Sequence, residues 1–251
     1  MIETVEAAGS ERLHTRIVRA LARQVLLSDQ DPKRLSFPKE NELSRQLGVS
    51  RTILRESMKV LVDKGMVEMK PRAGTRARPR SQWRLLDPDI LAWQAEFQPS
   101  PELLRSLCEV RLAIEPTAAS FAAVRATDEE LQAIAQCLED RASGRRRTAQ
   151  QIVDLDLEFH AAVVDASHNP LLVQLSASIS KPIRMVFACT ARFASTLELG
   201  LDAHRSLLET LRRRDPLAAR RAAEEVVGIS MLAVESVIQS QQPKGRPPRG
   251  S

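Results

Sequence analysis

Three cysteines, Cys108, Cys137 and Cys189, are all that the chain contains. They lie far apart and form no C-x-x-C pair, which excludes a disulfide-stapled scaffold and a cysteine-based zinc finger. Three small apolar residues buried in a reducing compartment are expected instead. No run of 18 apolar residues occurs, so no membrane-spanning helix is expected. The N-terminal MIETVEAAGSERL shows no basic segment followed by an apolar stretch, the pattern of an export signal. These absences together predict a soluble, cytoplasmic protein. Neither H-E-x-x-H nor G-x-S-x-G is present, and no fixed-length repeat appears. A metal-dependent hydrolase built on the few histidines would therefore lack a separate base or nucleophile, and the chain does not read as an enzyme.

What is present is a division of charge. The net formal charge is +5 over 251 residues. Residues 1–80 hold 17 Lys and Arg against 10 Asp and Glu, whereas residues 81–240 hold 17 against 22. Positive charge gathered in one segment is the electrostatic footprint of a nucleic-acid module joined to something else.

The basic segment has a matching grammar. From Ser10, a plausible N-cap, Leu13, Ile17, Ala20, Leu21 and Val25 step by three and four residues, a helical stripe. Pro38 suits the first turn of a second helix, and Gly48 suits the left-handed residue that ends it near Leu47. Ser50 is placed to cap a third helix reaching Lys64, with Ile53, Leu54, Ser57, Met58 and Leu61 facing inward. Gly65 stops it, and Met66–Met69 with Thr75–Ala77 read as two short strands around a tip at Lys70 to Gly74. Helix, tight turn, helix and β-wing make a winged helix-turn-helix, whose second helix enters the major groove.

Within it, Arg51 and Arg55 stand four residues apart on one face of the recognition helix. Arginine there can grip guanine O6 and N7 with two hydrogen bonds. The Ser50 and Thr52 hydroxyls suit phosphate oxygens at the helix N-terminus. Arg45, and Lys70, Arg72, Gly74 and Arg76 of the wing, suit the DNA backbone and minor groove.

Residues 79–99 read as a linker, with Trp83 and Trp93 anchoring it against the following domain. Beyond it helices are expected near 86–96, 100–123, 128–143, 148–167, 170–196, 198–213 and 215–240, kinked at Pro116 and Pro182. The ending QSQQPKGRPPRGS is a basic, Pro/Gly-rich tail expected to be disordered over 241–251. The fold class is therefore mainly α, with a winged domain over 10–78 and an all-α bundle over 100–240.

In the bundle, Asp156 and His160 are four apart and project from one helix face, where they could chelate one ion or hydrogen-bond a ligand directly. Arg111 lies on an otherwise apolar helix. It is a candidate clamp for a carboxylate, or else an ion-pair partner of Glu109 or Glu115. Asn169 could offer its amide to ligand hydroxyls; His168 reads as a boundary residue.

The winged segment resembles the N-terminal domain of the GntR family of bacterial transcription regulators. Pro38, Glu40, Glu42, Leu43, Gly48, Val49, Ser50, Arg51, Leu54, Arg55, Glu56, Leu61, Gly65 and Gly74 carry the pattern. Phe37 stands in place of a leucine, Arg34 in place of a glycine, and Asn41 in place of an arginine that contacts DNA in some members. The remainder resembles the FCD ligand-binding bundle of the FadR subfamily, through Glu109 to Pro116, Asp156-x-x-x-His160, His168-Asn-Pro-Leu171 and His204. This resemblance implies a divalent metal such as zinc held by a carboxylate and histidines, here Asp156, His160 and His204, with Val226 where a third histidine is usual. It further implies an effector site that includes Arg111, Asp156, His160, Asn169 and His204. The junction Arg80 to Trp93 is similar to that of sugar-acid-responsive members. A homodimeric repressor is thus expected, bound to an inverted-repeat operator in double-stranded DNA and released by a small carboxylate such as galactonate. A metal- or acyl-CoA-responsive regulator of the same family is the alternative.

Overall fold

The computed structural model describes residues 10–28, 36–70, 74–143, 147–188 and 200–241. Arg72, Cys189 and the basic tail lie outside the described residues, so the expectations placed on them carry no structural account. The chain divides into two units, Met1–Gln98 and Pro99–Ser251.

The first unit opens with α1 (Ser10–Leu27), whose expected stripe is its buried face: Leu21, Ala22, Val25 and Leu26 are almost fully enclosed. Next come α2 (Glu40–Leu47) and α3 (Arg51–Asp63). Pro38 does not begin α2. Lys39 holds an extended backbone before Glu40, so the proline precedes the helix and the acidic pair Glu40 and Glu42 occupies its first turn, where the helix dipole favours negative charge. Gly48, at φ +65°, closes α2 in the left-handed conformation. Ser50 caps α3 by accepting the Ile53 N–H at 3.3 Å. The wing pairs β1 (Val67–Lys70) with β2 (Gly74–Ala77) in antiparallel register, Val67 opposite Ala77 and Lys70 opposite Gly74. Ser36 bridges to Arg76, and the Phe37 N–H donates to the Thr75 carbonyl at 2.9 Å, tying the approach to α2 onto the wing.

The segment expected to be a linker is folded into this same unit. A 3₁₀ turn at Arg80–Gln82 leads to α4 (Pro88–Phe97), capped by Asp87. Trp83, Ile90 and Trp93 join Leu21, Leu54, Leu61 and Met66 in one core, and the Trp83 indole N–H donates to the Arg78 carbonyl at 2.9 Å. The two tryptophans thus anchor 80–97 to the winged domain and not, as expected, to the helical one. Burial explains it, since two indoles and an isoleucine gain more by completing a small three-helix core than by remaining in a solvated tether.

The second unit contains α5 (Pro101–Arg125), α6 (Asp128–Ala142), α7 (Ala149–Asp165), α8 (Pro170–Ala188), α9 (Leu201–Arg212) and α10 (Pro216–Gln241). Thr127 and Thr148 each open a helix with a reciprocal capping box, to Glu130 and Gln151. α5 runs unbroken past Pro116 and packs along α10, and their alanine-rich faces let the backbones approach closely: Ala119, Ala122 and Ala123 share one core with Ala219, Ala222 and Ala223. Phe159, Leu207, Leu211 and Val226 fill the same core. No helix among the described residues is long and apolar enough to cross a membrane.

Candidate DNA interface and buried polar site

The exposed face of α3 presents Arg51 and Arg55 on one carboxylate. Arg51 Nε lies 2.7 Å from one oxygen of Glu40 and Arg55 Nε 2.8 Å from the other, with more than half of each arginine side chain exposed. Hydrogen bonds from Arg55 and then Arg51 hold the Glu40 carboxyl below its usual range. Pairing through Nε orients both guanidinium groups and leaves their terminal edges for a two-bond grip on a base. Thr52 is exposed one residue into the helix. The Ser50 oxygen serves the cap, and its hydroxyl hydrogen remains to donate. Arg45 is exposed on α2, its Nε on the Asn41 carbonyl at 3.2 Å. On the wing, Gly74 takes φ +81° at the tip, Lys70 pairs with Glu68 at 2.9 Å, and Arg76 is exposed.

The second site lies inside the helical unit, where α5, α6, α7 and α9 each bring charged or imidazole groups to one place. Asp156, His160 and His204 are all buried, and one potential ligand atom from each falls within 4.8 Å of the others. His204 Nε2 lies 3.2 Å and Arg141 Nη1 2.9 Å from Asp156 Oδ1, while His160 Nε2 lies 3.6 Å from Asp156 Oδ2. Each imidazole is fixed from behind. His204 Nδ1 is 2.7 Å from the Gly200 carbonyl, which can only accept, so Nδ1 carries the hydrogen and Nε2 the lone pair. His160 Nδ1 is 2.7 Å from Glu115 Oε2, and Glu115 is clamped in turn by Arg111 Nε at 2.7 Å.

Electrostatics sustain this order. Burial alone would raise the Glu115 carboxyl; Arg111 and His160 outweigh it and hold it at about 2. For Asp156 burial is likewise outweighed, by His160, His204 and Arg141, leaving it well below the usual carboxylate range. His204 is shifted down, chiefly because burial disfavours the imidazolium, which keeps Nε2 unprotonated with its lone pair available.

The donor set fits a divalent metal. Both Asp156 oxygens, His160 Nε2 and His204 Nε2 are buried without a hydrogen bond among the described residues. Lone pairs of a carboxylate and two imidazoles that converge in this way repel, and Arg141 at Asp156 Oδ1 offsets only part of that, so a cation or proton between them is favoured. Glu115 and the Gly200 carbonyl are then the outer partners that fix ligand tautomers.

Other expected residues fall differently. Arg111 is fully buried and ion-paired with Glu115, the alternative the sequence left open, and its Nη1 has no hydrogen bond among the described residues. The Asn169 side-chain oxygen caps α8, accepting the Leu171 N–H at 3.1 Å and the Leu172 N–H at 3.4 Å. His168, at φ 50°, closes the turn before α8 and meets Glu130 at 2.9 Å. Glu115 and Arg141 are the members the sequence reading did not place in the site. The i, i+4 spacing of Arg111 and Glu115 was a signal for the first; Arg141, in the last turn of a surface-like amphipathic helix, offered none.

Residues 14–76 match the family model described as bacterial regulatory proteins, gntR family, and residues 106–228 match the FCD domain. The galactonate operon transcriptional repressor of Escherichia coli K12 is 34% identical over 223 residues, covering 88% of this chain and 96% of that protein. The uncharacterized HTH-type regulator YieP of the same organism is 27% identical over 223 residues, with 88% and 95% covered. Among solved structures, that of Lar, which controls expression of the Listeria monocytogenes agr system, aligns at a TM-score of 0.60 and 15% identity, covering 93% of this chain and all of the other. That last likeness establishes the fold alone. A basic winged domain with two exposed arginines aligned on its third helix, an FCD bundle and a near full-length relative at 34% identity lead to one conclusion: the chain belongs to the GntR family of bacterial transcription regulators.

Proposed function

We propose that this regulator represses an operon for sugar-acid catabolism and leaves its operator when a small carboxylate, with galactonate as the leading candidate, enters the helical unit. Residues 10–78 would carry DNA contact. Residues 100–240 would carry effector binding and dimerisation, so that two recognition helices read an inverted repeat spaced by the two-fold axis. The observation that carries the effector reading is the convergence of Asp156, His160 and His204, with both Nε2 atoms making no hydrogen bond among the described residues, in a bundle whose relative represses the galactonate operon. Bound there, a divalent ion would supply a Lewis-acidic positive centre for one carboxylate oxygen. Asp156, His160 and His204 would hold it, and Arg111 Nη1 offers a buried donor beside the chain of contacts through Glu115.

The cavity next to His160, lined by Glu115, Val163, Leu207, Ala223 and Val226, measures only about 10 Å³, the room of a single water molecule. A sugar acid must therefore part α5, α7, α9 and α10 to enter, and a bulky thioester must part them further, which favours the small effector. That movement is the differential contact between two states that effector-driven release requires, about 1–3 kcal/mol of coupling being typical.

A thermal-shift screen of the full chain against aldonic and uronic acids, with and without EDTA, tests the reading. A rise in melting temperature with galactonate or a close epimer, abolished by EDTA, is the expected result. A rise that survives EDTA moves recognition to the arginines. No rise with any sugar acid overturns the effector assignment.

A further inference from the structure

Arg141 is a charged side chain buried at the metal-type cluster without being one of its ligand residues. It sits in the last turn of α6 with a side chain only 4% exposed, and its Nη1 lies 2.9 Å from Asp156 Oδ1, the oxygen that His204 Nε2 also approaches at 3.2 Å. The turn that positions it is braced from outside: Arg147 donates to the Arg141 carbonyl at 3.0 Å and to the Ser143 hydroxyl at 2.9 Å.

We infer that Arg141 competes with a divalent metal for Asp156, so that the site takes up metal weakly and gives it up readily. The inference rests on reading Asp156, His160 and His204 as metal ligands. A metal entering the cluster must share a carboxylate oxygen with a fixed guanidinium, and an opposite charge this close makes a carboxylate a poorer donor, on the order of tenfold or more per nearby cation. The dication and the guanidinium also repel in surroundings that screen little. A neutral outer hydrogen bond would act in the opposite sense, strengthening binding by orienting the ligand. The sign of the effect therefore separates a competing charge from a structural brace.

The experiment is a Co²⁺ titration of the full-length, chelator-treated protein, followed by the visible absorption of tetrahedral Co²⁺ and by competition with a chelator of known affinity. Four variants are compared with wild type: R141M, R141Q, R141K and D156N, each checked for fold by circular dichroism. R141M and R141Q are expected to bind about 10- to 100-fold tighter than wild type. R141Q retains hydrogen-bond donors without charge, and decides the matter if R141M does not fold. R141K, which keeps the charge, is expected to stay within about threefold of wild type, and D156N to lose the absorption band. Equal or weaker binding by the folded neutral variants overturns the inference while leaving the metal site standing. Absence of the band in wild type and in the neutral variants, or its persistence in D156N, overturns the metal-site reading and this inference with it.

Discussion

Arg51 and Arg55 share one counter-ion, and that arrangement has a consequence for binding. Glu40, from the preceding helix, holds both Nε atoms, so the two side chains are ordered before DNA arrives and less rotamer entropy is lost on contact. Each arginine replaced singly by alanine should cost about 1–3 kcal/mol of discrimination for operator over scrambled duplex, leaving the salt-dependent, sequence-independent affinity largely in place. Fluorescence anisotropy on both duplexes measures this. Unchanged discrimination in both variants would remove α3 from the reading role. At this scale the sequence was informative for Arg51, Arg55, Ser50, Asp156 and His160, because i, i+4 spacing and capping are local properties, whereas His204 was reached through the family resemblance. It assigned Asn169 to a ligand, whereas the adjacent helix start claims its side-chain oxygen.

At the scale of elements, the end of the recognition helix is bolted to the segment that follows the wing. Lys64, the C-cap of α3, bonds both oxygens of Asp87 at 2.7 and 2.8 Å, pairs with Asp89 at 2.8 Å, and lies over the Trp93 ring at 5.6 Å. Its backbone carbonyl accepts from Arg84, and Gly65 beside it, at φ +77°, lies so near the Gln82 carbonyl that a Cβ would come within 2.4 Å. Burial works against the Lys64 charge, but Asp87 and Asp89 outweigh it and raise the group above its ordinary 10.5. A raised lysine contributes stability that is present below pH 10.5 and lost as the pH climbs through the folded value. Lys64→Met should therefore lower stability by about 1–3 kcal/mol at pH 7. As the pH rises past 10.5 and through the raised folded value, the melting temperatures of the variant and the wild type should converge. A gap that persists at high pH would mean that the loss is one of packing and not of charge.

For the whole molecule, the boundary between units decides where the DNA-binding part ends. Residues 80–97 contribute Trp83, Ile90 and Trp93 to the first core, at about 1.5–3 kcal/mol for each fully buried large side chain. A chain of residues 1–98 should melt cooperatively, while one of residues 1–78, the domain as the sequence delimited it, should melt without a defined transition. Calorimetry of both chains compares them, and an equally cooperative 1–78 would show that α4 is dispensable. If the prediction holds, any effector-driven repositioning must act beyond α4 and not within 79–97.

The sequence by itself determined the classes of element and their order. Apolar steps of three and four residues, caps at Ser50, Thr127 and Thr148, and the glycines at 48, 65 and 74 are short-range instructions that the backbone obeys wherever it folds. It also put Arg51 with Arg55, and Asp156 with His160, on one helix face each, because helical spacing fixes which residues share a face. Tertiary structure alone decided that the tryptophans of the apparent linker belong to the winged domain. It also decided that Arg111 answers Glu115, and that Arg141 reaches Asp156 from another helix. Those outcomes depend on which surfaces meet across long separations in the chain, and a buried charge takes whatever opposite charge the packing brings within reach.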